Sequence, residues 1–498
     1  MSVAHKPAQP AHIGGAPPPS PVSISAILSG LSAVILGAFM SILDATIVNV
    51  ALPTFGRVFE TSIQSLQWII TGYMLASAAV IPLSGWLSDR FGAKRVYLVA
   101  LVLFTAGSAL CAMATSAFML TVFRVLQGLG GGMLMPVGMA ILFRVSPPEK
   151  RGAVMGLFGI PMLLGPALGP VISGWLLEYA SWPWIFLINL PIGIVALVIG
   201  LRSLPGLGAE NVDSRLDTLG MILGPIAFAS LTYGISESTE YGWTGLPTLL
   251  GIGIGLVALV LFIARELTTT QPLLELRVFH SRDFSLAIAT NWLMIAGLFG
   301  TFFLIPVFLQ QVRGYSPFQT GLITLPNALV AACTMPLAGR IYDRVGARPP
   351  VFIGLLIVTV SFWLLTGLSA STTAWDLMLP LAIMGGGMGL AMMPLGTHVL
   401  SSAPRNLVSR VTSLTGACQN VVASLAIATF ATLLQTHTRA NANGGAPSLE
   451  AQASAFGSVY GAAIFIIILA ALMTLTLRRT STPKGAGQAA QEMTHTVT

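Results

Sequence analysis

Two charged residues lie deep inside long apolar segments of the sequence, where a charge is costly to place. Asp44 is the one acidic residue, and Arg124 the one basic residue, that falls well within such a segment. Counted from Pro53 and Ala117 at 1.5 Å per helical residue, both lie roughly 10 to 14 Å below the same surface. A charge at membrane depth costs several kcal/mol unless it is paired or faces water, so both residues are functional candidates.

The chemistry open to Asp44 is the exchange of a proton. Desolvation favours the neutral form of a carboxyl group and a nearby cation favours the ionised form, so a proton and a cationic ligand could compete for this carboxylate. The alternative is a static ion pair between Asp44 and Arg124, or an aspartate bonded to neighbouring amides, that only fixes the packing. We favour proton exchange, with Arg124 as the partner of the carboxylate.

The composition of the chain is that of a polytopic membrane protein. Of its 498 residues, 54% are hydrophobic and 8% are charged, and the mean hydropathy is +0.83. About fourteen apolar segments are each long enough to cross a hydrocarbon layer of about 30 Å, which predicts an all-α fold. The net charge of +7 is spread over short connections, which is typical of membrane orientation rather than of nucleic-acid binding.

Two blocks of sequence occur twice, which indicates two related halves. The segment Pro82–Arg95 recurs as Pro336–Pro349, and Gly128–Pro136 recurs as Gly386–Pro394. Repeated halves in so apolar a chain point to a transporter. The predicted organisation is a disordered tail at 1–22, a six-helix half at 23–201, a linker with two extra helices at 202–283, a second six-helix half at 284–477 and a disordered tail at 478–498.

The distribution of basic residues predicts the orientation. When the segments alternate between sides, only Arg57, Arg313 and Arg439 fall on one face, Arg124 lies within a segment, and the remaining Lys and Arg residues of the 24 fall on the face that carries both termini. The positive-inside rule assigns that face to the cytoplasm. We therefore expect a multi-pass protein of the cytoplasmic (inner) membrane with both termini cytoplasmic.

Four motifs, in order along the chain, resemble those of a known family. They are Leu43–Pro53, similar to a first-helix signature; Gly85–Arg95, similar to a loop motif between helices two and three; Arg124–Gly132, similar to a fourth-helix motif associated with proton coupling; and Gly156–Gly174, similar to a fifth-helix antiporter motif. The chain resembles the major facilitator superfamily, and within it the EmrB/QacA-type fourteen-helix drug:proton antiporters. The resemblance implies the major facilitator fold, with helices one and four beside a central cavity.

Two positions depart from the family pattern. Gly169 is followed by Pro170, where the antiporter motif usually closes with paired glycines. The second half has Ala382 where the repeat register places Arg124. The resemblance therefore assigns proton coupling to the first half, through Asp44 and Arg124.

The repeated loop predicts a conformational latch at the cytoplasmic surface. Asp89 can cap the next helix or pair with a basic residue, and ordinary positive-inside anchoring is the alternative. The latch residues are Gly85, Asp89, Arg90 and Gly92, with Asp343 and Arg344 in the second copy.

The fifth segment contains a candidate antiporter hinge at Gly165, Pro166 and Gly169. A bent helix between the halves could seal a cavity or act as a hinge, and close packing alone is the alternative.

Polar and aromatic residues in mid-helix are candidates for a substrate cavity, although such residues also serve packing between helices. They are Asn49, Trp68, Tyr73, Gln127, Asn291, Trp292, Phe302, Gln310, Asn327 and Gln419.

The function that these features favour is proton-coupled efflux of amphipathic organic compounds. The sequence has no Walker motif and no catalytic or metal-binding set, so we expect the proton motive force as energy source, no cofactor, no metal and no enzymatic activity. A metabolite or siderophore exporter or importer stays open, with a non-transporting sensor as a remote alternative. The expected partners are lipid, protons, a small organic substrate and, as an open alternative, a periplasmic adaptor with an outer-membrane channel.

Overall fold

The described part of the chain is a bundle of long helices. The computed structural model describes residues 24–61, 63–206, 217–269, 272–302, 304–404, 407–441 and 448–477. The tails predicted at 1–22 and 478–498 lie outside these residues. The all-α polytopic fold expected from the composition is confirmed.

Six spans form the first half. They are α1 (Ile24–Phe59), α2 (Ile63–Phe91), α3 (Ala93–Ala112), α4 (Ala117–Val145), α5 (Arg151–Tyr179) and a broken sixth span made of α6 (Trp184–Leu187) and α7 (Asn189–Ser203). We call the surface at which α1 begins and α2 ends the terminal face, and the other surface the opposite face. The break in the sixth span places the start of α7, at Asn189, inside the bundle, where this residue is fully buried.

The inserted pair and the second half follow in the same alternating order. They comprise α8 (Thr218–Tyr241), α9 (Leu246–Thr268), a 3-10 turn (Leu276–His280), α10 (Arg282–Phe302), α11 (Leu304–Val307) with a π-helical turn (Phe308–Val312), α12 (Pro317–Val345), α13 (Arg348–Leu365), α14 (Ala374–Ser401), α15 (Val408–Asn441) and α16 (Leu449–Thr474). Thirteen helical segments of the described chain are long and apolar enough to cross a membrane. The 29-residue α5, which packs along both α1 and α12, corresponds to the remaining predicted span.

Glycines of α4 allow the backbones of α2 and α3 to approach closely. A Cβ atom added at Gly128 would lie 2.6 Å from the carbonyl oxygen of Tyr73, and one at Gly130 would lie 2.6 Å from the amide nitrogen of Phe104. On α3, a Cβ atom at Gly107 would lie 2.8 Å from Cα of Gln127. Small residues at such positions are the usual way for membrane helices to pack. The polar side chains of these helices therefore meet inside the first half.

The inserted helix α8 contacts both halves. It packs against α2, where the rings of Trp68 and Tyr233 stack at 6.3 Å, and against α15. Trp243, in the turn that follows α8, donates a hydrogen bond of 2.9 Å from Nε1 to Thr432 Oγ1 of α15. The partner helix α9 packs mainly on α8 and exposes a leucine- and valine-rich surface. The extra pair is therefore held by α8, which bridges the two halves.

The contact between α8 and α9 is expected to depend on Gly251. A Cβ atom there would lie 2.7 Å from the amide nitrogen of Gly234, whereas one at Gly253, two residues away, would meet nothing within 4 Å. Gly251→Leu should cost about 1–3 kcal/mol through overpacking and lower the melting temperature in detergent. Gly253→Leu is the matched control and should melt like the unchanged protein. Equal melting temperatures for both variants would contradict the packing argument.

Candidate functional site

A buried ion pair joins α1 to α4. Arg124 Nη1 donates to Asp44 Oδ2 at 2.5 Å and to Gln127 Oε1 at 2.8 Å. Asp44 is 0% exposed and Arg124 is 1% exposed. The two charges that the sequence places at one depth are thus in direct contact, and removing either would leave the other buried without compensation.

The second carboxylate oxygen of Asp44 is held by two carboxamides. Gln127 Nε2 donates to Oδ1 at 2.9 Å, and Asn189 Nδ2 donates to the same atom at 2.8 Å. Both amides also donate to Ser108 Oγ, at 3.1 and 2.9 Å. Helices α1, α3, α4 and α7 therefore each contribute one or two side chains to a single closed polar cluster.

Ser108 and Asn189 are not among the residues predicted from the sequence. Neither residue carries a charge, and which face of its helix each one occupies depends on how the helices are rotated in the bundle. The one available signal for Asn189 is Pro191, two residues later in an apolar span, which is compatible with a helix start. In the structure α7 does begin at Asn189. The Oδ1 atom of Asn189 is buried and has no hydrogen-bond partner in the described part of the chain.

Tyr73 on α2 stands between this cluster and a central cavity. The guanidinium carbon of Arg124 lies 4.1 Å from the centroid of the Tyr73 ring, and the Tyr73 hydroxyl is 3.3 Å from Ser41 Oγ. Tyr73 and Ser41 line the cavity, whereas Asp44 and Arg124 do not. A ligand in the cavity would therefore touch Tyr73 and not the carboxylate itself.

The cavity lies between the two halves and has a volume of about 430 Å³. Its wall is formed by α1, α2 and α4 of the first half and by α10, α14 and α15 of the second. This size falls within the range of small-molecule sites. The cavity therefore has room for a compact organic molecule.

Two of the predicted cavity residues, Tyr73 and Gln419, line this cavity. The other candidates with described side chains do not line the cavity, because the rotation of their helices directs them elsewhere. Trp68 stacks on Tyr233, Trp292 packs on Phe279, and Asn327 donates a hydrogen bond to the carbonyl oxygen of Leu381. Gln127 belongs to the charged cluster, Asn291 is buried, and Gln310 lies in the π-helical turn. The side chains of Asn49 and Phe302 lie outside the described residues.

Asp89 pairs with two arginines at the terminal face. Arg410 Nε, on α15 of the second half, donates to Asp89 Oδ2 at 2.9 Å, and Arg144 Nη2 lies 3.5 Å from Oδ1. Gly85 belongs to the same contact, since a Cβ atom there would lie 3.1 Å from Cα of Arg410. The N-cap of the next helix, α3, is instead Gly92, whose φ of 87° suits glycine and which provides no side-chain cap. Asp89 therefore joins the halves and does not cap α3.

The second copy of the loop makes a different contact between the halves. Asp343 Oδ1 accepts from the amide of Gly152 at 2.8 Å, and Oδ2 accepts from the amide of Ala153 at 3.1 Å. These are free amides in the first turn of α5, where a carboxylate is favourable. Of the neighbouring arginines, Arg90 is half-buried and Arg344 is exposed.

The glycines of the candidate hinge face α1. Cβ atoms added at Gly165 and Gly169 would meet Ile42 and Thr46, which flank Asp44 in sequence. The side chain of Pro166 lies outside the described residues. These glycines therefore bring α5 against the helix that carries the carboxylate, while other glycines of α5 face the second half.

Two six-helix halves around a central cavity, with a buried ion pair beside it, define a polytopic membrane transporter. The sequence matches the Major Facilitator Superfamily over residues 34–427. The chain belongs to this superfamily, as its motifs indicated.

Several relatives carry names that refer to drug export. The chain is 38% identical over 404 residues to a multidrug resistance protein B homolog of Mycobacterium tuberculosis, covering 80% of this chain and 75% of the relative. It is 32% identical over 396 residues to the multidrug export protein EmrB of Haemophilus influenzae, covering 79% and 78%. It is 29% identical over 445 residues to the lincomycin resistance protein LmrB of Listeria monocytogenes, covering 89% and 94%.

Solved structures with the same fold have low sequence identity. The proton:xylose symporter XylE superposes with a TM-score of 0.65 at 15% identity, covering 92% of this chain and 97% of that one. The human organic anion transporter MFSD10 gives a TM-score of 0.60 at 16% identity, covering 92% and 100%. These similarities establish the fold.

Replacement of Arg124 should be tolerated only where the cation is kept. Arg124→Ala leaves Asp44 buried without a partner, which is expected to cost about 3–5 kcal/mol, whereas Arg124→Lys retains one charged donor. Thermal unfolding in detergent should rank the proteins as unchanged, then Lys, then Ala. Asp44→Asn combined with Arg124→Ala should recover part of the loss, because no charge then remains. A double variant as unstable as Arg124→Ala would argue against the ion pair as the cause.

Loss of charge at Asp89 should open the terminal face. In Asp89→Asn the neutral amide no longer attracts Arg410 and Arg144, so the population should shift toward a form open at this face. Asp343→Asn should act more weakly, because an amide oxygen still accepts a backbone hydrogen bond. Spin labels on the opposite-face ends of α1 and α15 would measure the change in distance. Unchanged distances together with weaker substrate binding would mean that Asp89 is not a latch.

Proposed function

We propose that the protein exports organic compounds in exchange for protons, with Asp44 as the proton-binding residue. The observation that carries this proposal is a buried carboxylate, matched by one cation and two amides, that stands one side chain away from the central cavity. Ionisable groups at such depth are typical of proton pathways. The drug-export names of the relatives support an organic substrate.

Asn189 supplies what a protonated Asp44 would need. An ionised carboxylate only accepts hydrogen bonds, but a protonated one also donates. Asn189 Oδ1 is buried without a partner in the described chain, next to the amide nitrogen that now donates to Asp44. Rotation of this carboxamide would exchange a donor for an acceptor at the carboxyl group. Such a cluster can accommodate both protonation states, which favours proton exchange over a static ion pair.

Tyr73 offers a path between proton and substrate. Protonation of Asp44 would weaken its attraction for Arg124, whose guanidinium lies over the Tyr73 ring. A shift of that ring changes the cavity wall, and a ligand that presses on the ring acts back on Arg124 in the same way. Coupling in this scheme runs through Tyr73 and requires no direct competition for the carboxylate.

We infer that the terminal face is cytoplasmic, on the distribution of lysine and arginine. The contacts of Asp89 and Asp343 between the halves then close the cytoplasmic side. Rocking of the halves would break them and open the cavity to the cytoplasm for substrate, while Asp44 releases its proton there. Return to the state closed at this face delivers the substrate outside and allows Asp44 to bind a proton from that side.

Asp44→Asn should abolish gradient-driven transport because asparagine keeps the shape but cannot carry the proton. The purified protein in liposomes, with a fluorescent substrate found by an efflux panel in a pump-deficient host, should lose uptake driven by a pH gradient. Substrate counterflow without a gradient should persist, since no residue that lines the cavity is replaced.

The control for this variant is Asp376→Asn, an exposed residue in the first turn of α14 on the opposite face, where the amide oxygen of asparagine can still accept the hydrogen bond from the amide of Thr373. This control should transport normally. Gradient-driven transport by Asp44→Asn at the rate of the control would rule out Asp44 as the proton site.

A further inference from the structure

The cavity wall carries no formal charge. Among the described residues that line it there is no Asp, Glu, Lys, Arg or His. Asp44 and Arg124 do not line the cavity and are paired with each other behind Tyr73. An ion that enters a cavity of about 430 Å³ loses much of its water, and without an opposite charge in the wall this loss is not compensated. The site therefore disfavours ions of either sign.

One side of the wall is apolar and deformable. Met135 and Met139 on α4 and Met388 and Met392 on α14 are each four residues apart, so each pair lies on one helix face directed to the cavity. Phe299 on α10 adds an aromatic ring. Methionine side chains are flexible and make favourable contacts with aromatic groups. This side suits a flat or irregular apolar body.

Another part of the wall is a polar stripe on α15. Thr412, Thr415, Gln419 and Asn420 recur at helical spacing along the wall. The threonine hydroxyls donate to carbonyl oxygens of their own helix, at 2.8 Å each, and keep only acceptor capacity. The carboxamides of Gln419 and Asn420 make no hydrogen bond to the described chain, and Asn420 is exposed to the cavity. Two amides with free donors and acceptors are thus available to a ligand.

We propose that this cavity selects uncharged organic molecules with an apolar, preferably aromatic, body and one hydrogen-bonding edge that is bound by Gln419 and Asn420, and that it rejects permanent cations. The proposal rests on the function proposed above and specifies its substrate class. It has an electrical consequence: exchange of an uncharged molecule for a proton moves net charge, so the membrane potential as well as the pH gradient would drive transport.

The test compares two probes of nearly equal shape, 4-phenylpyridine, which is uncharged at neutral pH, and the permanently cationic N-methyl-4-phenylpyridinium. Binding to the purified full chain in detergent is measured by calorimetry. The uncharged probe should bind at least roughly tenfold more tightly, a difference of about 1.4 kcal/mol. A cation that binds as tightly as the uncharged probe, or no binding of either probe, would overturn the proposal.

A carboxylate placed in the stripe should reverse this preference. Gln419→Glu provides an opposite charge of the same shape and should strengthen binding of the pyridinium about tenfold. Asn420→Asp makes the same change at the exposed neighbour, in case Gln419→Glu folds poorly. The matched control is Gln319→Glu, at an exposed helix start remote from the cavity, where glutamate fits the capping box.

The outcomes separate this proposal from the proposed function. If neither stripe variant gains affinity for the cation relative to Gln319→Glu, the α15 stripe does not contact the ligand and the proposal is wrong. Binding in detergent needs no proton gradient, so these results hold whether or not Asp44 carries the proton. Conversely, if gradient-driven transport depends on Asp44 but accepts permanent cations, the proposed proton-coupled export is supported and the proposed preference for uncharged substrates is wrong.

Discussion

The structure of the first half depends on the ion pair between Asp44 and Arg124 in a setting that water does not reach. The charges are stable there only because Gln127 and Asn189 complete the hydrogen bonding of the carboxylate, while Ser108 accepts hydrogen bonds from both amides. These side chains come from four helices, so their backbones must approach closely. The glycines of α3 and α4 make that approach possible, and those of α5 bring a fifth helix against α1. The polar cluster in this half can therefore form only if small residues allow its helices to pack closely.

The two copies of the repeated loop show how duplicated sequence acquires different contacts. Asp89 engages the guanidinium of Arg410, a side chain that can move away, whereas Asp343 engages two amides in the first turn of α5. The first contact depends on charge and the second mainly on backbone geometry. Both lie at the same face and both join one half to the other. The duplication has preserved the position of an aspartate while changing its partner.

Much of the fold and part of the site could be predicted from the sequence. The spans follow from apolar length, and the pairing of Asp44 with Arg124 follows from the shortage of other charges at that depth. The partners Ser108, Asn189 and Arg410 could not be predicted, because an uncharged or terminal residue gains its role only when helix rotation and the docking of the halves are known. The same limit explains why Trp68 lies away from the cavity that Tyr73, five residues later, helps to form.

The bridging position of α8 has a mechanical consequence. If the halves rock as proposed, α2 and α15 change their separation, and one helix cannot keep both contacts fixed. The stacking of Trp68 on Tyr233 has no strict direction and tolerates sliding, whereas the hydrogen bond from Trp243 to Thr432 fixes an orientation. On these grounds we expect the inserted pair to move with the second half and to slide over the first. The transporter would then move as two unequal bodies, of six and eight spans. The contact between them that slides would be the packing of α8 on α2.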